Sequence, residues 1–269
     1  MTVLAAAIQM SAGSDKERNL ERAEHLVRQA AESGATLVVL PEVFNWRGRK
    51  AAQEQAAEDL GGMTLTRMKQ LARELELFLV AGSITERIPG DAKAYNTSVL
   101  LGPDGAMLGC YRKIHLFDVE IAGKVSARES DAKVAGSEVT CVPTAAGTIG
   151  LSVCYDLRFP ELYRKLADLG ATVVTIPSAF TYPTGEAHWE VLLRARAIEN
   201  QAFVIAPGQY GPNVHGFSDY GNSMVVDPWG RVLARASDNG EEVLVAPLDF
   251  EELAKVRREL PSLRHRTIS

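Results

Sequence analysis

Cysteine is scarce and badly spaced for cross-linking: the 269 residues hold three, with no Cys-x-x-Cys pair. An odd number in that arrangement makes neither a disulfide framework nor a zinc knuckle, and it fits a reducing compartment. Positive charge is also short. Lys and Arg total 29 against 34 Asp and Glu, a net charge of −5, so no basic field exists to hold a phosphate backbone and nucleic-acid binding is not expected. No apolar run approaches the roughly 20 residues of a membrane span. The apolar start, Met1 to Met10, lacks the basic and long apolar regions of a signal peptide and reads as a first buried strand. Short repeats, low-complexity tracts and linkers are missing too. These absences lead to the expectation of a cytoplasmic protein with no membrane contact.

What is present is an ordinary globular composition, 46% apolar and 23% charged, in a chain long enough for one large α/β domain or two small ones. Strand-like and helix-like segments alternate throughout. Val3–Gln9 reads as a strand and Asp15–Ser33 as an amphipathic helix, with Leu20, Ala23, Leu26, Val27 and Ala30 at helical spacing before Gly34. The run Thr36–Leu40, ended by Pro41, fits a strand covered on both faces. A helix over Thr64–Glu76 precedes the strand Phe78–Ser83, and Tyr95–Leu101 pairs with Ala106–Tyr111 in a hairpin. Asp118 to Ser137 reads as a polar loop. Then follow a hairpin of Thr140–Pro143 and Thr148–Val153, a helix from Pro160 to Leu169, the strand Thr172–Pro177 and a helix His188–Asn200. Strands Phe203–Ala206, Ser223–Val226, Val232–Ala236 and Glu242–Pro247 come next, and Phe250–Leu260 is a last helix. Helix, strand LVVLPE, helix, strand in one half echo helix, strand VVTIPS, helix, strand in the other. This pattern predicts an α/β fold, a four-layer α-β-β-α sandwich of two mixed β-sheets flanked by helices.

Catalytic groups on α/β folds gather at the carboxyl ends of strands. Cys154 ends the run Ile149–Val153 where a helical pattern opens, the geometry of a nucleophile elbow, and a helix N-terminus there lowers a thiol pKa. The same segment also fits a buried, inert thiol. Glu42 follows Leu37–Pro41, and Lys113 follows Leu108–Arg112. In one pocket, a thiolate attacks an amide carbonyl, an ammonium and a backbone N–H hold the oxyanion, and a carboxyl group shuttles protons. Taken singly, Glu42 also reads as a solvated loop residue and Lys113 as half of a surface basic pair. A Cys–His dyad would draw on His115, His188 or His215. A metal held by Cys110 and His115 lacks a second ligand pair.

Together, Pro41-Glu42, Tyr111–Asp118 and Cys154–Glu161 resemble the three catalytic motifs of the nitrilase superfamily of carbon–nitrogen hydrolases, in order and from about Val3 to Pro247. The resemblance implies one domain over 1–269, with a core of about 3–247 and a C-terminal helix and tail over 248–269. It implies Cys154 as nucleophile, Glu42 as general base and acid, Lys113 and the Tyr155 backbone N–H as oxyanion partners, and a thioester intermediate formed with release of ammonia. In Ala127-Arg128-Glu129-Ser130, Glu129 matches the family's second glutamate, a catalytic-site residue that the resemblance implies positions substrate or the attacking water, with Glu120 as the competing position. No metal or cofactor is implied.

Thr184–Glu190, Leu193–Asn200 and Met224–Gly230 resemble the branch of omega-amidases and deaminated glutathione amidases, with the wording Asp227-Pro228-Trp229 leaning to the second. Asn222 stands where that branch has His, and Glu186 where Pro is frequent, which places an added carboxylate near the entrance. Such substrates carry a carboxylate. Arg158 is the expected cation for it, or else a structural ion pair under the elbow, with Phe180 and Tyr182 expected to wall the pocket. Omega-amidase, N-carbamyl amino acid hydrolase and nitrilase activities are the alternatives, as is a catalytically silent interaction module. The family resemblance implies a homodimer or larger homo-oligomer.

Overall fold

The computed structural model describes residues 2–49, 52, 56–123, 125–214 and 216–268. Its first sheet has seven strands: β1 (Thr2–Gln9), β2 (Leu37–Val39), β3 (Phe78–Val80), β4 (Ile84–Arg87), β5 (Ala94–Leu101), β6 (Met107–Arg112) and β17 (Glu242–Asp249). The order is β17-β1-β2-β3-β5-β4, with β6 also paired to β5. The second has six, β9 (Cys141–Thr144), β10 (Gly147–Leu151), β11 (Val173–Thr175), β12 (Phe203–Ala206), β15 (Met224–Val226) and β16 (Val232–Arg235), in the order β16-β15-β12-β11-β10-β9. Both are mixed. β1-β2-β3 and β10-β11-β12 are parallel trios, each extended by antiparallel neighbours. These trios are the physical content of the two-fold echo in the sequence.

The side-chain period of two sets the layers. Along β1, Ala5 and Ala7 pack with Leu37, Val39, Ile149 and Leu151 between the sheets. Ala6 and Ile8 point the other way, onto Leu20, Leu26 and Val27 of helix α1 (Lys16–Glu32) and Leu65 and Met68 of α2 (Met63–Glu74). Outside the second sheet, α3 (Pro160–Asp168) and α4 (Tyr182–Asn200) bury Leu162, Tyr163, Leu166, Trp189 and Leu193. The four-layer sandwich expected from the sequence is therefore present. Asp15 caps α1 by accepting the Arg18 N–H at 3.1 Å, and Asp249 caps α5 (Phe250–Glu259) in the same way.

Several local readings need correction. The polar stretch after Asp118 contains a hairpin, β7 (Asp118–Ile121) with β8 (Val125–Arg128), and a 3-10 turn over Glu129–Asp131. Its four-residue strands bury only Val125, so the apolar signal is weak. A second small hairpin, β13 (Tyr210–Pro212) with β14 (Ser218–Tyr220), was not expected either. Helix α4 starts at Tyr182, well before His188. Pro183 and Gly185 read as turn residues, but proline suits a first helical turn and Gly185 packs on the Tyr220 ring. Among the described residues no helix is long and apolar enough to cross a membrane.

Candidate active site

Three chain segments leaving strand ends converge between the sheets. After β2 the chain passes Pro41 to Glu42, and Val43 takes a left-handed φ of 47°. The Glu42 carbonyl accepts from Gln209 Nε2 at 2.8 Å, and the Val43 N–H donates to Ser83 Oγ at 3.0 Å. Gly82 is needed beside this turn: its φ is 43°, and a Cβ there would stand 2.0 Å from the Pro41 carbonyl oxygen. Lys113 follows β6 directly, its N–H donating to the Asn96 carbonyl at 2.8 Å. Cys154 opens a 3-10 turn, Cys154–Arg158, with a φ of 47°, a conformation that a non-glycine residue rarely adopts.

The side chains meet in one buried network. Lys113 Nζ donates to Glu42 Oε1 and to Glu129 Oε2, each at 2.9 Å. Asn96 Nδ2 bridges the same carboxylates, at 2.8 Å from Glu42 Oε1 and 3.1 Å from Glu129 Oε1. The Ala179 N–H donates to Glu42 Oε2 at 2.9 Å, and the Phe117 N–H to Glu129 Oε2 at 2.7 Å. Cys154 lies beside Glu42, close enough for each group to act on the other's protonation.

Electrostatics fix the resting charges. Burial acts to raise the Glu42 carboxyl, but the Lys113 charge and hydrogen bonds from Cys154, Lys113 and Asn96 hold it below the ordinary range. Burial opposes the Lys113 ammonium, yet Glu129 and Glu42 keep it well above its ordinary value. Burial, then the Glu42 charge, pushes the Cys154 thiol well up. The expectation of a thiol pKa lowered by a helix end is therefore overturned. Only a short 3-10 turn follows Cys154, α3 waits until Pro160, and a buried carboxylate faces the sulfur. The resting cysteine is a thiol whose proton is directed at a carboxylate.

Asp156, which the sequence reading did not single out, ties two of these segments together. Its Oδ2 accepts the Val153 N–H at 2.9 Å and the Tyr111 hydroxyl at 2.7 Å; its Oδ1 accepts the His115 N–H at 3.1 Å and contacts His115 Nδ1 at 2.7 Å. The lysine segment and the cysteine turn are thus pinned by one fully buried carboxyl group. Asn96 was missed as well; it opens a run of three buried polar residues, Asn96-Thr97-Ser98, within β5, and that run was the available signal.

A cavity of about 380 Å³ opens onto Cys154, lined also by Glu42, Lys113, Glu129, Tyr155 and Phe180. Tyr155 is in the first turn of its 3-10 helix, where backbone N–H groups lack acceptors within the helix. Arg158 stands at the cavity wall, its Nη1 3.2 Å from His188 Nδ1 and its guanidinium 5.0 Å from the Phe180 ring. No carboxylate pairs with it among the described residues, so the alternative of an ion pair under the elbow is not what forms.

Tyr182 is exposed, packs edge-on against Tyr220 and lies outside the cavity lining, contrary to expectation. Glu186 is exposed and also absent from the lining. Glu120 is exposed and accepts from Ser126 Oγ. Asn222 has a φ of 53°, which Asn tolerates, and its Oδ1 holds Arg235. His115 stacks on Phe159 and His188 is exposed, while His215 falls outside the described residues. Among the described residues no group of three His, Cys, Asp or Glu side chains is arranged to hold a metal.

Comparison with known proteins follows the same line. The carbon-nitrogen hydrolase family model matches residues 4–258. A deaminated glutathione amidase of Homo sapiens is 47% identical over 268 residues, covering 98% of this chain and 82% of the human protein. An omega-amidase of Mus musculus is 39% identical over 261 residues, covering 97% of this chain and 94% of its own. The crystal structure of the C. elegans NitFhit protein superposes with a TM-score of 0.93 at 39% identity over 99% of this chain, which spans 65% of that longer protein.

Proposed function

The chain belongs to the carbon–nitrogen hydrolase family and is an amidase, and from that premise we propose that Cys154 cleaves the amide of a small carboxylate-bearing substrate of the deaminated glutathione type. The observation that supports this reading is the continuous path from Cys154 through Glu42 to Lys113, all three buried, and on to the partly exposed Glu129. Glu42 accepts the thiol proton as sulfur attacks the carbonyl carbon. Lys113 and the Tyr155 N–H hold the resulting oxyanion. Collapse breaks the C–N bond, and Glu42 returns its proton to the departing nitrogen, which leaves as ammonia from a primary amide. Glu42 then takes a proton from water, hydroxide adds to the thioester, and the acid leaves as Cys154 regains its proton. Glu129 keeps Lys113 charged and in place.

Release of free acid from deaminated glutathione, alpha-ketoglutaramate, an N-carbamyl amino acid and a nitrile ranks the substrates. The first is expected to give the highest kcat/KM, and preference for the nitrile or carbamyl compound refutes the assignment. Cys154→Ala is expected to abolish turnover with the fold retained; activity in that variant removes Cys154 as nucleophile.

The same reading takes residues 1–269 as one domain. A homo-oligomer is supported by exposed Ile198 and Trp229, brought near each other in the chain's path where Gly230, next to Trp229, packs on Ile198. Light scattering that finds only monomer refutes it. A cytoplasmic location is in keeping with three free cysteines.

A further inference from the structure

Besides Lys113, four cations line the cavity: Arg47, Arg128, Lys133 and Arg158. Arg47 is taken up by Asp219 through its two terminal guanidinium nitrogens, Nη1 and Nη2. Arg128 is exposed, and the partly exposed Arg158 lies over aromatic rings, so water serves both charges.

Lys133 differs from all of these. It is buried, with 6% of its surface exposed, and among the described residues its Nζ makes one hydrogen bond, to Thr85 Oγ1 at 2.6 Å. No carboxylate lies within ion-pair distance among the described residues. The 3-10 turn after Glu129 places it: the Lys133 N–H donates to the Glu129 carbonyl at 2.9 Å, so both side chains serve the same cavity. An ammonium has three donors, and among the described residues one of them is used. Burial, helped by the Lys113 charge and opposed by Glu129 and Glu42, brings its pKa down to about 7. A buried cation in that condition gains an ion pair when an anion enters.

Building on the amidase reading above, we infer that Lys133, seated on Thr85, is the subsite that receives the substrate's carboxylate. Arg158 then serves the cavity rim. A competing role is charge balance, since Lys113 alone faces the two carboxylates of Glu42 and Glu129.

Succinamate and butyramide separate the two roles, because they share the reacting carboxamide and differ by a carboxylate against a methyl group at the far end. The quantity read is the ratio of their kcat/KM values in wild type, Lys133→Met and Lys133→Arg. Wild type is expected to favour succinamate. Lys133→Met is expected to lower the ratio about 10- to 100-fold, mainly through the KM for succinamate, as loss of a charged hydrogen bond requires. Lys133→Arg is expected to restore part of it. A ratio unchanged in Lys133→Met, whether activity holds or falls equally on both amides, overturns the inference and leaves the amidase reading standing. A wild type that hydrolyses both but does not favour succinamate instead refutes the carboxylate-bearing substrate class, and the inference with it. Should Lys133→Met not fold, Thr85→Val, which removes the one hydrogen bond on Nζ, is read by the same ratio: a fall supports the subsite, and an unchanged ratio overturns it.

Discussion

Replacing Asp156 by Asn disturbs the nucleophile without touching substrate, because the Asp156 carboxyl holds Val153 on one side of Cys154 and the lysine segment on the other. Asn preserves the shape but turns one acceptor into an NH2 donor. With that nitrogen at the Oδ2 position, the Val153 N–H at 2.9 Å faces a second donor; at the Oδ1 position, the His115 N–H at 3.1 Å does. The Tyr111 hydroxyl and the His115 ring can exchange donor for acceptor roles, but a backbone N–H cannot. Either orientation leaves one buried backbone donor unpaired, at about 1–3 kcal/mol. For a domain of this size that lowers the melting temperature by roughly 2–12 °C, at about 2–4 °C per kcal/mol. The catalytic effect is expected to be larger, since a displacement of about 1 Å at the reacting atom costs on the order of 10²-fold in rate. Thermal unfolding and the kcat and KM of one amide test this together. The expected result is a lower melting temperature with kcat reduced and KM little changed. A variant that melts early but keeps its kcat shows that Asp156 stabilises the fold without positioning Cys154, and one identical to wild type refutes the reasoning entirely.

Glu42→Gln removes the group that accepts the thiol proton, and kcat is expected to fall about 10²- to 10⁴-fold, with slower iodoacetamide labelling of Cys154; turnover at the wild-type rate excludes Glu42 as the base. For butyramide, kcat/KM is expected to stay level through neutral pH, since Glu42 is held below its ordinary range and Cys154 and Lys113 well above theirs. For succinamate it is expected to fall as pH rises through about 7, because Lys133, facing Glu129, Glu42, Lys113 and Thr85, binds an anion only while protonated. Parallel profiles for the two amides contradict this. Gly82→Ala puts a methyl 2.0 Å from the Pro41 carbonyl oxygen at a φ of 43°, so about 1–3 kcal/mol of stability should be lost and Glu42 pushed off Lys113. Unaltered melting and kcat rule out that close approach.

Legibility in the sequence followed the physical source of each feature. Apolar runs such as Leu37–Leu40, and Val173–Ile176 with Thr175 as its one polar member, marked the central strands, because burial on both faces leaves little room for polar residues. Chemistry-bearing residues just past strand ends, Glu42, Lys113 and Cys154, were readable for the same topological reason. The polar groups that fix their geometry were not. Asn96, Asp156 and Lys133 are each defined by partners more than ten positions away in sequence: Glu42 and Glu129, Tyr111 and His115, Thr85. Short elements with weak periodicity, β7 and β8, and a helix whose first turn holds Pro183 and Gly185 failed for lack of local signal.

The state of the thiol shows why those distant partners matter most. A helix-end argument treats Cys154 as a thiolate waiting for substrate, whereas the folded site keeps it protonated against Glu42. In the proposed reaction one negative charge then moves without changing in amount. It leaves the Glu42 carboxylate as the thiol proton arrives, and it reappears on the oxyanion formed at sulfur's attack. Lys113 Nζ, 2.9 Å from Glu42 Oε1 and close enough for its charge to act on Cys154, answers the charge at both ends of that path. Glu129, on the far side at 2.9 Å, still pairs with the ammonium while Glu42 is protonated. The cation therefore need not move or lose its proton during the step, and so little reorganisation accompanies the chemistry. A free thiolate beside Glu42 would instead place like charges together in a buried site and spoil the ground state that this arrangement keeps neutral at sulfur.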